Sequence, residues 1–153
     1  MNYKKLIICF VLPQLAGAIG SLFTAPSITG WYMDLIKPSF SPPNWIFGPV
    51  WITLYLMMGL SAYLVWNSKN KKAVLAFNLF LIHLFFNTVW SIIFFGMQNP
   101  GLAFLDIIIL LIFIIVLIIK FYNINKIASY LLIPYFLWVS FASALNYFIW
   151  VLN

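Results

Sequence analysis

Apolar positions in this chain come in long unbroken runs, separated by short polar breaks. A helix needs roughly 20 consecutive apolar residues to cross the hydrocarbon of a bilayer. Five runs reach that length, at about residues 6–25, 45–66, 73–96, 102–121 and 127–151. Their apolarity is continuous rather than alternating, which excludes the strands of a membrane barrel. The expected fold is therefore all-α: residues 1–153 form one domain, a bundle of five transmembrane helices. Ile107 to Ile119 contains only apolar residues, which suits a helix facing lipid. The breaks are short except at 26–44, where Pro26, Pro38, Pro42 and Pro43 accompany Trp31 and Tyr32. Large aromatics are foreign to disordered segments, and long loops in compact domains tend to be functional. An ordered flap folded over one end of the bundle is expected.

Composition agrees with this pattern. Hydrophobic residues make up 65% of the chain and charged residues 7%, where a soluble domain carries about 25%. The net charge of +6 sits on lysines in loops and at ends, so it speaks to orientation and not to a nucleic-acid partner. Lys4, Lys5, Lys69, Lys71, Lys72, Lys120 and Lys126 fall on one side of a five-span layout, and Lys37 alone on the other. Positive charge marks the cytoplasmic side, so the N-terminus is expected inside and the C-terminus outside. Lys4 and Lys5 ahead of an apolar run resemble a signal peptide, but no small-residue cleavage pattern follows, so a retained span is expected. Cys9 is the only cysteine and has no internal disulfide partner.

Polar side chains within spans should face the bundle interior. On the third span His83, Asn87, Trp90 and Phe94 fall within about 60° of one another at 100° per residue, with Ser91 at the edge of the stripe. The fifth span aligns Tyr135, Trp138, Ala142, Leu145 and Ile149, with Asn146 beside them. The second aligns Phe47, Trp51, Tyr55, Met58 and Ala62, with Gly48 close by. Three helices thus each offer an inward tryptophan, and Ala142 leaves room among larger neighbours. Aromatic walls with a few polar groups describe a site for a flat, largely apolar ligand. Trp45, Trp66 and Trp150 stand at span ends, where interfacial belts are expected. His83 carries two readings, a hydrogen-bonded core histidine or a ligand contact. No other His, Cys or acid stands at ligand spacing from it, so no protein metal site is expected. Asp106 is expected near the start of the fourth helix, where the helix dipole favours it. In the first span Ala16 with Gly20 and Gly17 with Ser21 are small pairs four apart, a packing seam or a dimer face. Pro13 and Pro134 are expected to kink their spans. No phosphate-binding glycine loop or nucleophile elbow is present, and two isolated acids cannot form a carboxylate pair.

These residues carry a resemblance. Trp31-Tyr32, Lys37-Pro38-Ser39, Pro42-Pro43, Phe47-Gly48-Pro49-Val50-Trp51, Leu54-Tyr55 and Met58-Gly59 occur in order. Asn87-x-x-Trp90-Ser91-x-x-Phe94-Phe95, Asp106, Pro134-Tyr135-x-x-Trp138, Phe141-Ala142 and Leu145-Asn146 follow. Over nearly its whole length the chain resembles the tryptophan-rich sensory protein and translocator protein family, the peripheral-type benzodiazepine receptors. The resemblance implies a five-helix bundle, often a homodimer, with a pocket beneath the first loop. It implies binding of porphyrins, including haem, and of synthetic isoquinoline carboxamides and benzodiazepines, with no obligatory cofactor. Matching positions would line the pocket with Trp31, Trp51, Asn87, Trp90, Trp138 and Ala142, to which the faces above add Phe47, Tyr55, His83, Phe94 and Leu145. Two positions depart from the family pattern. His83 stands where a glutamine is usual, which introduces an imidazole able to ligate haem iron. No basic residue follows Tyr147, so the sterol consensus of that region is incomplete.

The leading functional expectation is a tetrapyrrole-binding membrane sensor. A second is a light- and oxygen-dependent porphyrin-degrading photoenzyme, in which Trp51 and Trp138 would be the catalytic residues. A third is a porphyrin or sterol transporter, for which the chain offers no internal repeat. The expected location is a bacterial cytoplasmic membrane.

Overall fold

The computed structural model describes residues 2–153. Its elements are α1 (Tyr3–Ile28), α2 (Trp31–Asp34), α3 (Phe47–Trp66), α4 (Ala73–Ser91), α5 (Pro100–Tyr122), α6 (Lys126–Leu131) and α7 (Ile133–Leu152). A short 3₁₀ turn at Asn44–Ile46 leads into α3, and a wide π-turn at Ile92–Gly96 closes α4. Among the described residues five helical stretches are long and apolar enough to span a membrane, at the places expected from the apolar runs. The protein is an all-helical integral membrane protein.

Local chemistry sets the helix ends. Asparagine side chains cap three N-termini. Asn2 accepts from the Lys5 amide at 3.2 Å, Asn99 from the Leu102 amide at 2.9 Å and Asn125 from the Ala128 amide at 3.1 Å. Each satisfies a backbone donor that has no intrahelical partner. The fifth span is split in two at Leu132, just before Ile133-Pro134. Proline lacks the amide hydrogen and crowds the carbonyl one turn earlier, as expected for Pro134. The short helix before the break is bonded to its neighbours on both sides. Ser61 Oγ donates to the Ala128 carbonyl at 2.6 Å, and Ser129 Oγ donates to the Ile118 carbonyl at 2.8 Å. By contrast α1 runs through Pro13 as one helix.

The bundle closes as a ring, α1 packing on α3 and α4, α5 on α4 and α7, and α3 on α6. On α5 the buried face is Ala103, Asp106, Ile107, Leu110, Ile114, Leu117 and Phe121. Ile108, Ile109, Ile112, Ile115 and Ile119 face outward, as an apolar helix against lipid requires. The first-span glycine Gly17 is used within the chain, since a Cβ there would run into the Tyr55 ring.

The segment after α1 is an ordered flap. Tyr32 is 4% exposed and packs against Phe94 and Phe95 at ring separations of 6.2 and 5.6 Å. Burial pushes the Tyr32 phenol above its ordinary range, opposed by a hydrogen bond from Ser41. Lys37, the lysine that stood apart in the charge pattern, is spent locally. Its Nζ lies 4.6 Å above the Tyr32 ring and donates to the Met33 and Leu35 carbonyls. Asn153 ties the flap to α7, accepting from the Ile36 amide at 3.0 Å and donating to its carbonyl at 3.1 Å. Asn153→Ala should cost the protein no more than about 1 kcal/mol, since both bonds are exposed. It should nevertheless raise hydrogen exchange at Ile36 about tenfold, because local opening there is set by those two bonds. Unchanged exchange would show that these two bonds do not hold the flap.

Candidate functional site

The helices part at the flap end and enclose a cavity of about 600 Å³. That is within the range of small-molecule sites, about 300–1,000 Å³. Its walls come from four elements. Helix α1 lends Gln14, Gly17, Ser21 and Thr24. Helix α3 lends Phe47, Trp51 and Tyr55. Helix α4 and its π-turn lend Trp90, Phe94 and Phe95, and α7 lends Trp138, Ala142 and Leu145. Tyr32 closes the flap side.

The aromatic walls hold one another in place. Trp51 stacks on Tyr55 at 5.4 Å and 29° and meets Tyr135 edge-on at 6.2 Å. Phe47 meets Trp138 edge-on at 5.8 Å, and Trp90 stacks on Phe94 at 5.2 Å. Offset and edge contacts of this kind add stability beyond the area they bury. The Trp90 indole N–H donates to Asn146 Oδ1 at 3.0 Å. The Asn146 amide donates in turn to the Pro100 carbonyl at 2.7 Å, which clamps α4 and α7 to the start of α5. The π-turn matters here. It carries both Phe94 and Phe95, which line the cavity side by side.

Beneath the aromatic floor runs a directed chain of hydrogen bonds. His83 Nδ1 lies 3.3 Å from the Phe80 carbonyl, which can only accept, so Nδ1 carries the hydrogen. Nε2 is then an acceptor, and the Tyr135 hydroxyl donates to it at 2.7 Å. The Tyr135 oxygen accepts from Asn87 Nδ2 at 3.0 Å. Asn87 Oδ1 accepts from the Tyr55 hydroxyl at 2.9 Å. His83 and Tyr135 are fully buried and Asn87 is 3% exposed. Every polar atom has a partner, the condition under which such a network rigidifies an apolar interior.

Of the residues expected at a site, Phe47, Trp51, Tyr55, Trp90, Phe94, Trp138, Ala142 and Leu145 line this one cavity. Three others do not. Trp31 faces a separate recess with Leu22, Phe23 and Phe95 and meets Phe94 edge-on from outside. Asn87 lies one layer below, orienting Tyr55. His83 lies deeper still with both ring nitrogens engaged, so the cavity meets no free imidazole to ligate an iron. Asp106 also departs from expectation. It stands more than one turn inside α5, whose first turn holds no acid, beyond the reach of the dipole effect. It is 6% exposed, and its Oδ2 has no partner.

Sequence reasoning missed the contribution of α1. Gln14, Gly17, Ser21 and Thr24 recur three or four apart, and Gln14, Ser21 and Thr24 are polar within an apolar run. That spacing was a usable signal. It also missed Phe95, which lies in the π-turn. Trp45, expected in an interfacial belt, lies on the cavity rim at 73% exposure.

Comparison with known proteins is uniform across the chain. The profile of the TspO/MBR family matches residues 9–151. The tryptophan-rich protein TspO of Archaeoglobus fulgidus is 44% identical, covering 100% of this chain and 99% of its own length. The protein of the same name in Chlorobaculum tepidum is 43% identical over 97% of this chain and 95% of its own. The translocator protein of Homo sapiens is 38% identical over 90% and 83%.

Proposed function

The chain belongs to the TspO/MBR family, and from that premise we propose that it is a membrane receptor for a porphyrin-class tetrapyrrole, acting as a sensor or regulator. The observation that carries this reading is the cavity itself. About 600 Å³ is walled by indole and phenyl faces from α3, α4 and α7, and flat macrocycles bind by stacking on such faces. Flat isoquinoline carboxamides would occupy the same walls. The ligand contacts would be Trp51, Trp90, Phe94 and Trp138, with Ala142 giving clearance. Haem would bind through its ring and edges, because His83 is committed to Tyr135 and Phe80. The same reading takes the protein as a homodimer in a bacterial cytoplasmic membrane, and the lysine asymmetry supports an orientation with the lysine-rich end inside.

The test is a titration with protoporphyrin IX, followed by the porphyrin's own absorbance. Wild type should saturate near one ligand per chain. Trp51→Phe combined with Trp138→Phe keeps an aromatic at each wall but removes the larger indole faces. At roughly 0.5–1.5 kcal/mol per aromatic contact, the pair should raise Kd about tenfold. A Kd within twofold of wild type would overturn the reading.

One observation favours a second reading, photochemical breakdown of the bound porphyrin. Trp51, at the cavity wall, is stacked on Tyr55 and touches Tyr135, so an oxidised indole would have neighbouring electron donors. Illumination with and without oxygen separates the two readings. A product beyond free-porphyrin bleaching, lost in the double variant, supports the enzyme.

A further inference from the structure

The cavity is not open on all sides. Its exposed lining residues are Ala18, Ser21 and Ala25 on α1, and Asn44, Trp45, Gly48 and Ile52 at the start of α3. Every lining residue from α4, the π-turn and α7 is buried or half-buried. The flap side is closed by Tyr32 and held by Asn153. The opening therefore lies between α1 and α3. The helix pair itself shows why. At the lysine-rich end the two backbones touch, and a Cβ on Gly59 would sit 2.8 Å from the Cys9 carbonyl oxygen. At Gly17 the Tyr55 ring still fills the gap. At Gly48, near the flap end, a Cβ would meet nothing within 4 Å. The helices part toward the flap end, and both belong to stretches long and apolar enough to span a membrane, so the gap opens along the flap-side half of two spans.

The cavity reaches down α1 as far as Gln14, about 21 Å along the helix from Ile28 at 1.5 Å per residue. Gln14 is half-buried and lines the deep end. Its amide has no side-chain hydrogen-bond partner among the described residues, whereas the neighbouring Tyr55 hydroxyl is taken by Asn87. A half-buried amide with no partner in the chain is free to bond a ligand, and polar groups inside a membrane mark sites of function.

We propose that the cavity is loaded sideways from the bilayer through the gap between α1 and α3, and that Gln14 hydrogen-bonds the carboxyl or carbonyl edge of the arriving ligand. This rests on the receptor reading above and adds the route and the polar anchor. The ligand class is then a flat apolar molecule with one hydrogen-bonding edge, already dissolved in the membrane.

The experiment is stopped-flow binding in lipid nanodiscs, using protoporphyrin IX and a carboxyl-free alkyl porphyrin. Ala18→Leu and Gly48→Leu each add bulk at the gap, on opposite rims. Either should slow association and dissociation together by about tenfold with Kd held within threefold, the signature of a gate and not of a weakened contact, which acts mainly on dissociation. Ile19→Trp, on the outer face of α1, should leave both rates unchanged. Gln14→Leu should speed dissociation of protoporphyrin IX about tenfold and leave the carboxyl-free porphyrin unaffected. Unaltered rates in both rim variants would overturn the lateral route. Equal effects of Gln14→Leu on the two porphyrins, or none, would overturn the anchor. Absence of saturable binding to wild type would instead remove the receptor reading, and this inference with it.

Discussion

Tyr135→Phe is expected to destabilise the protein by about 2–4 kcal/mol, although it removes a single oxygen atom. The ring is fully buried, and phenylalanine keeps its edge contact with Trp51, so packing is conserved. What is lost is one donor and one acceptor at once. His83 Nε2 loses the hydroxyl that serves it at 2.7 Å, and Asn87 Nδ2 loses its acceptor at 3.0 Å. Two effects compete in setting the size. Hydrogen bonds between membrane helices average only about 0.6 kcal/mol when measured in isolation, because the unfolded chain in lipid finds other partners. Orphaning a buried polar group costs about 1–3 kcal/mol, and here two are orphaned in a space sealed from water. The second effect should dominate, because the other polar atoms of His83 and Asn87 are already engaged with the Phe80 carbonyl and the Tyr55 hydroxyl. Equilibrium unfolding in mixed micelles measures it. Adding His83→Leu to Tyr135→Phe removes one orphan and should recover part of the loss. A Tyr135→Phe loss below about 0.5 kcal/mol would show that the chain of hydrogen bonds contributes little.

Gly59→Leu should be more damaging, by more than about 3 kcal/mol, and should loosen ligand binding as well. Even the first added carbon would lie 2.8 Å from the Cys9 carbonyl oxygen and 3.1 Å from the Phe10 Cα. Both are backbone atoms, so no rotamer relieves the clash and α1 must move away from α3. Close backbone approach at small residues is a main source of helix association in membranes. The same two helices frame the cavity, so moving α1 shifts Gln14 and Gly17 relative to Trp51 and Tyr55. Thermal unfolding in detergent should show the loss, and protoporphyrin IX affinity should fall with it. Gly48→Ala is the contrast, because nothing lies within 4 Å of its added carbon, and it should be nearly neutral. Equal stability of the two variants would mean that α1 and α3 are not held by this contact.

Much of this protein was legible in its residues taken alone. Five spans, their approximate ends and the inward aromatic faces follow from apolar run length and helical periodicity, because lipid leaves the backbone only one way to satisfy its hydrogen bonds in such runs. The flap was legible too, since Trp31 and Tyr32 need a surface to cover. Eight of the expected site residues, Trp51, Trp90 and Trp138 among them, share one cavity because a face that points inward in every helix must converge.

Other decisions belong to the tertiary structure. Periodicity placed His83, Asn87, Trp90 and Phe94 on one stripe, but it has no depth. Only the placing of α4 opposite α7 across the bundle interior sends Trp90 and Phe94 to the cavity and commits His83 and Asn87 to Tyr135. The π-turn at Ile92–Gly96 reads in sequence as a continuation of the apolar third span, and only the fold shows it. Asp106 looked like a helix-start acid, until Asn99 and Pro100 proved to begin α5 earlier. Above all, the splay of α1 from α3 is set by where two glycines meet a partner backbone or ring and where a third meets nothing. Residue type at each position determined which face of each helix is apolar, small or aromatic. The distances between helices, which decide what is a seam, a wall or an opening, arise only when the side chains of five helices are packed against one another.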